Sequence, residues 1–116
     1  MNGVFNLILK ELFPGVESEV KFHSTRKWKF DYAWPKQRLA LEIEGGIWMA
    51  KGAHNTGKAI LRDMEKYNEA TLLGWRVLRI THDDIKKGKA IELLERAFGK
   101  KVNSVERRAE KWGIKS

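Results

Sequence analysis

Val4, Leu7, Ile8 and Leu12 recur at helical spacing through residues 4–13, and Pro14-Gly15 then halts the run, which predicts a short amphipathic helix. Glu11 follows Leu7 and Ile8 by one turn and so sits beside the predicted buried stripe. From Glu19 the period falls to two. Val20 and Phe22 suggest a first strand, residues 24–27 a basic turn, and Trp28, Phe30, Tyr32 and Trp34 the apolar face of a second strand. The other face of that strand carries Lys27, Lys29, Asp31 and Ala33. Residues 35–38 (Pro-Lys-Gln-Arg) read as a hairpin turn, after which Leu39, Leu41 and Ile43 alternate with Ala40, Glu42 and Glu44 until Gly45-Gly46 ends the run.

Residues 47–57 have no periodicity and read as a loop leading into a helix over residues 58–73, one side of which would carry Ile60, Met64, Tyr67 and Thr71. Gly74 caps it, residues 75–81 (WRVLRIT) form a β-rich strand, and Asp83 or Asp84 starts a last helix at about residues 85–98, interrupted near Gly88. The order α-β-β-β-α-β-α predicts an α/β fold, a single small domain over residues 1–98 with a central mixed sheet flanked by helices. Residues 99–116 alternate Lys and Arg with Glu and would form a short basic helix with Trp112 docked, or an arm.

Composition narrows the function classes. A chain of 116 residues has room for one core, so any site shares it. The absence of cysteine removes disulfides, thiolate zinc sites and a cysteine nucleophile together. No apolar run approaches the ~20 residues that span a bilayer, and no secretory leader pattern follows Met1, so an intracellular, cytoplasmic protein with no membrane partner is expected. The formal charge of +8 attracts polyanions, and a phosphate backbone is the leading partner class.

The chemistry concentrates on the hairpin. Glu42 and Glu44 point the same way because strand side chains alternate, and the turn at 35–38 can bring Asp31 opposite them. Like charges across a strand pair repel, so three carboxylates beside apolar residues call for a counter-charge, and a divalent cation is the simplest. Mg2+ takes oxygen ligands, keeps room for water and phosphate, and lowers the pKa of bound water, which is the chemistry of phosphodiester hydrolysis. The alternative is an edge hairpin with a solvated acidic face. Gly45-Gly46 favours the first reading, since it lets a backbone or ligand come close.

Phe30-Asp31 followed after a turn by Leu41-Glu42-Ile43-Glu44-Gly45-Gly46 resembles the D…(D/E)-x-K core of the PD-(D/E)XK nuclease superfamily. Downstream, His54, then Asp63-x-x-Lys66-Tyr67-Asn68, then residues 74–79 (GWRVLR) are similar to small bacterial and phage members related to very-short-patch-repair endonucleases, so the resemblance covers about residues 20–81. It implies a restriction-endonuclease-like domain in which Asp31 and Glu42 hold the metal, with the Ile43 carbonyl a further ligand. Position 44 is Glu where the pattern has Lys. The missing cation then has to come from elsewhere, with Lys66, His54 and Lys29 as candidates. Lys66 is equally readable as a helix lysine paired with Asp63 or Glu65, and His54 as a plain loop histidine. Glu11 resembles the early helix acid that Holliday-junction-resolving relatives set beside the metal, with a surface Glu as the alternative. The catalytic set is therefore Asp31, Glu42, Glu44, Lys66, His54 and Glu11. Arg26, Lys27, Lys29, Lys51 and Lys58 are candidate DNA contacts, whereas Trp28, Trp34 and Trp75 read as core.

Nothing resembles a base-reading element, so the expectation is a metal-dependent DNA endonuclease selective for structure. The cofactor would be Mg2+, with Mn2+ as substitute. One site per small chain implies a homodimer cutting two strands of a Holliday junction or other branched DNA. The alternatives are a mismatch or strand-nicking repair endonuclease and a non-catalytic DNA-binding module.

Overall fold

A computed structural model describes residues 3–45 and 57–102. The elements run α1 (Gly3–Leu12), β1 (Glu17–Lys21), β2 (Lys29–Trp34), β3 (Leu39–Ile43), α2 (Gly57–Leu72), β4 (Arg76–Ile80), α3 (His82–Lys86) and α4 (Lys89–Phe98). The fold class is the expected one, α/β, with a four-stranded mixed sheet in the order β1-β2-β3-β4. The chain forms two compact units, one of residues up to Val16 and from Ile80 onward, the other Glu17–Arg79.

In the first unit, α1 buries Phe5, Ile8, Leu9 and Leu12, while Val4 is 39% and Leu7 62% exposed. The buried stripe therefore lies one residue round from the expected Val4, Leu7, Ile8, Leu12 set. Phe5 and Leu9, at i and i+4, give the helix a larger apolar face than Val4 can offer. Glu11, one turn after the exposed Leu7, is itself exposed. Phe13 stacks on Phe98 with ring centroids 5.2 Å apart, and Lys100 Nζ donates to the Leu12 carbonyl at 2.9 Å. Thr81 and Asp84 form a reciprocal capping box that starts α3. Gly88 then divides the expected 85–98 helix into α3 and α4, so the interruption is a full break. At the end of α4, Gly99 takes φ 66° and the Lys100 N–H returns to the Glu95 carbonyl, a helix stop suited to a residue without Cβ. The beginning of the expected C-terminal arm is anchored, since the Val102 N–H donates to Glu95 at 2.9 Å and Val102 is buried. The arm beyond Val102 lies outside the described residues.

The second unit holds the sheet and α2. β1 and β2 pair antiparallel with Val20 opposite Phe30, and β2 and β3 pair antiparallel from Trp34 opposite Leu39 to Tyr32 opposite Leu41. The connection 35–38 is a single 3-10 turn that starts on Pro35 and closes with Arg38 at φ 52°. Both faces of β2 are covered, because Phe30, Tyr32, Ala33 and Trp34 are all buried, so one face is not left to solvent as strict alternation suggests. β4 is reached through α2 and joins beside β3, where the Arg76 N–H donates to the Arg38 carbonyl at 2.9 Å. Phe30, Ala33, Ala40, Ala70 and Trp75 form the buried cluster under α2.

The inward side of α2 differs from the apolar stripe that its sequence suggests. Ile60 and Met64 are 50% and 55% exposed and Thr71 is exposed, whereas Ala70 is buried and Ala59, Lys66 and Tyr67 are half-buried. Ala59, seven residues before Lys66, and Ala70, three after Tyr67, share that side of the helix with them. Two polar side chains are thereby turned toward β2 and β3.

Candidate active site

The β2–β3 ladder runs in register through Tyr32 opposite Leu41, and the next pair would be Asp31 opposite Glu42. There the strands bond through side chains. The Asp31 N–H donates to Glu42 Oε2 at 2.8 Å, and the Ile43 N–H donates to Asp31 Oδ2 at 2.8 Å. Each carboxylate thus takes a main-chain N–H of the opposite strand, which fixes its orientation and brings the two acids together where the pairing opens. Glu42 is 6% exposed and Asp31 half-buried.

A buried carboxylate needs partners, and α2 supplies them. Lys66 Nζ donates to Glu42 Oε1 at 2.6 Å and to the Lys29 carbonyl at 2.9 Å, while the Tyr67 hydroxyl donates to the same Oε1 at 2.7 Å. Asp63 and Glu65, the surface partners otherwise open to Lys66, are engaged by Arg79 and Arg26. The environment also moves the ionisation equilibria. Burial raises the Asp31 carboxyl above its ordinary value, with the Glu42 charge adding to the rise, against the lowering by the Ile43 N–H and Lys66. Burial, followed by its bond to Glu42, pushes the Tyr67 hydroxyl far above the usual phenol range, so it stays a donor.

Glu44 follows β3 and takes Arg79 Nε of β4 at 3.0 Å. The same guanidinium lies 4.5 Å from the centre of the Tyr67 ring. Arg79 itself is held further toward the charged form by that bond to Glu44.

No protein-family model matches the chain, and no solved structure matches it significantly. Two Mycobacterium tuberculosis proteins are related. They are named "Uncharacterized protein MT2308" and "Uncharacterized protein Rv2248", and each is 32% identical over 74 residues. The match takes in 64% of this chain and 26% of each relative, so the chain spans about a quarter of their length.

Of the residues that the sequence singles out, the structure brings Asp31, Glu42 and Lys66 together, with Ile43 bonded through its N–H. Glu44 is near Tyr67 but is bonded to Arg79. The Lys29 side chain runs to Glu19 at 3.1 Å, so Lys29 contributes its carbonyl to Lys66 and not its charge to the acids. Glu11 is an exposed residue of α1 in the other unit, and Lys58 is exposed in the first turn of α2. His54, Lys51 and Gly46 lie outside the described residues. Gly45 is exposed, and a Cβ added there would meet nothing within 4 Å.

Arg26 is exposed and lies 4.2 Å from the Trp28 ring centre while it pairs with Glu65. Its turn is shaped by His23, whose Nδ1 accepts the N–H groups of Thr25 at 3.2 Å and Arg26 at 3.0 Å. Trp34 and Trp75 are core, as expected, but Trp28 is only half-buried.

Sequence reasoning missed three residues here. Tyr67 and Arg79 were hidden because each looks like an ordinary helix or strand residue until α2 is docked. Glu19 falls opposite Asp31 in the β1–β2 register and takes φ 54°, a strained conformation for a residue with a side chain. Its signal was the alternation Glu17, Glu19, Lys21 along β1.

The donor set suits a hard cation. Among the described residues no group of three or more His, Asp and Glu side chains is placed to hold a metal ion. Mg2+ requires only one or two carboxylates, the remainder being carbonyl, water and substrate phosphate, and Asp31 and Glu42 are carboxylates of that kind held side by side.

Proposed function

We propose that this chain is a metal-dependent DNA endonuclease that hydrolyses phosphodiester bonds, selective for branched DNA such as a four-way junction and acting as a homodimer. The observation that carries the proposal is the opening of the β2–β3 ladder at Asp31 and Glu42, with a lysine delivered to Glu42 from α2. A sheet held for stability alone could continue its backbone ladder here without two facing acids, whose like charges weaken strand pairing.

Asp31, Glu42 and the Ile43 carbonyl would hold the cation, which when bound supplies Lewis-acid polarisation of the phosphate and acidifies a water. The protein's own groups do the rest. The Ile43 N–H holds Asp31, the Asp31 N–H holds Glu42, and Lys66 keeps a fixed positive charge beside the acids, where negative charge grows on a phosphate under attack. Lys66 thus takes the role left open by Glu at position 44. The excess positive charge of +8, including the exposed Arg26 and Lys27 just before β2, supports a phosphate-backbone partner. Among the described residues each chain has one such pair of acids, and two strands cut symmetrically require two copies.

The test is cleavage of a labelled four-way junction beside matched duplex, mismatched duplex and single strand, each with Mg2+, Mn2+ and EDTA. Paired cuts in the junction alone, lost with EDTA and in Asp31→Asn, are expected. Asp31→Asn should still bind DNA, since phosphate-contacting cations are elsewhere. Cuts confined to the mismatch would replace the branched substrate with a repair nickase. Binding without cutting anywhere would make the chain a DNA-binding module.

A further inference from the structure

Glu at position 44 breaks the nuclease pattern, and the delivery of Lys66 from α2 explains only why a lysine is not needed there. It does not explain why the residue is an acid. The surroundings of Glu44 supply a reason. We propose that Glu44, Arg79 and Tyr67 form a positioning chain for Glu42: Glu44 recruits Arg79 from β4, Arg79 holds the Tyr67 ring, and Tyr67 fixes the carboxylate. The inference rests on the reading of Asp31 and Glu42 as metal-holding acids.

The geometry joins end to end. Glu44 Oε2 accepts Arg79 Nε at 3.0 Å, the Arg79 guanidinium carbon is 4.5 Å from the Tyr67 ring centre, and Tyr67 Oη donates to Glu42 Oε1 at 2.7 Å. The guanidinium is also 3.9 Å from Asp63 on α2, so a second carboxylate helps to hold it over the ring. Glu42 Oε1 has two donors from adjacent residues of one helix, and the two differ in kind. Lys66 supplies a charge that a bound cation would compete with, whereas the neutral Tyr67 hydroxyl can keep its bond whether or not a cation is present. With Oε1 pinned by a neutral donor and Oε2 accepting the Asp31 N–H, the remaining lone pairs of the Glu42 carboxylate point in a fixed direction, as partners behind a metal ligand generally ensure. Glu44 contributes two steps away, through Arg79. A lysine at position 44 would face Arg79 with like charge and release the ring.

The experiment is titration of the full chain with Mn2+ alone, without DNA, followed by calorimetry and by the Mn2+ electron paramagnetic signal. Tyr67→Phe keeps the ring and removes only the hydroxyl. The expected result is an Mn2+ dissociation constant raised about tenfold, the low end for loss of a partner behind a metal ligand. In cleavage, the half-saturating Mn2+ concentration should rise by the same factor, with kcat at saturating metal changed less than about threefold. Arg79→Lys keeps a charge for Glu44 but loses the flat contact with Tyr67, and should shift Mn2+ affinity in the same direction. Combined with Tyr67→Phe it should add little, because both act through one hydroxyl.

Mn2+ affinity within twofold of the wild type in both single variants overturns the positioning chain while leaving the metal site standing. Failure of the wild type to bind Mn2+, or equal binding by Asp31→Asn, overturns the metal site and the positioning chain with it. Should Tyr67→Phe lower the melting midpoint too far for titration, Arg79→Lys decides the matter alone.

Discussion

Replacing Lys66 with Met keeps the length and apolar stem of the side chain and removes its charge and donors. The side chain is 15% exposed and its partner Glu42 8%, so solvent offers little compensation. Leaving one member of a buried ion pair alone costs about 3–5 kcal/mol. Glu42 keeps the Tyr67 hydroxyl and the Asp31 N–H, which sets the expected loss at the low end, about 3 kcal/mol. For a domain of this size that lowers the metal-free melting midpoint by about 10–20 °C. If Lys66 also stabilises charge growing on the phosphate, its removal slows the chemical step by about 10²–10³, the range found for one preorganised donor. Single-turnover cleavage at saturating Mg2+, below the lowered melting range, separates this from instability. DNA binding measured in EDTA should stay within about threefold, since one phosphate contact out of several is the most that is lost. Lys66→Arg, which retains the charge, should recover most of the stability. Cleavage by Lys66→Met within tenfold of the wild type would refute the assignment of Lys66 to the missing motif lysine.

Arg26→Ala combined with Lys27→Ala removes two exposed cations ahead of β2. The slope of log affinity against log salt should fall by up to about 1.8, with the cleavage rate of bound substrate unchanged. An unaltered slope would take this turn out of the DNA-binding surface. On α1, Leu9→Ala should cost about 2–5 kcal/mol by denaturant unfolding because Leu9 is fully buried, whereas the 62% exposed Leu7 should tolerate Ala within about 0.5 kcal/mol. Equal costs would restore the stripe through Val4 and Leu7.

The strands were legible because β2 and β3 alternate cleanly and end on unmistakable breakers, Pro35 and Gly45. The convergence of Asp31 and Glu42 was legible too, since period-two geometry and a short turn dictate it. The helices were harder. In α1 two apolar stripes overlap, and only packing chooses Phe5 and Leu9 over Val4 and Leu7. In α2 the larger apolar residues Ile60 and Met64 face outward, and two alanines mark the inward side. Hydrophobic periodicity reads size and polarity, whereas this side of α2 is made of a buried alanine and two side chains that hydrogen-bond to Glu42. From the sequence Lys66 therefore reads equally well as a surface helix lysine, and Tyr67 as one more member of the apolar side. The partner of Glu44 stays hidden for a related reason, since it lies 35 residues away on β4. Alternation gives the direction of its side chain without showing what meets it there.

The charge balance of the site argues for a cation more strongly than the spacing of the acids does. Lys66 offsets one of the two carboxylates and leaves one surplus negative charge in a half-buried place. The charge of Glu44 is taken up by Arg79. A phosphodiester brought against Asp31 and Glu42 would add a second surplus negative charge, and repulsion at low dielectric would exclude it. A monovalent partner leaves the pair of them still repelling, whereas a divalent cation restores neutrality with substrate in place. Burial raises the Asp31 carboxyl above its ordinary value, and the Glu42 charge adds to the rise against the Ile43 N–H and Lys66. A surface that only grips DNA gains nothing from the surplus charge, because neutralising Asp31 would let phosphate come closer. If the chain were a binding module alone, Asp31→Asn and Glu42→Gln would both tighten its hold on DNA in EDTA and abolish nothing.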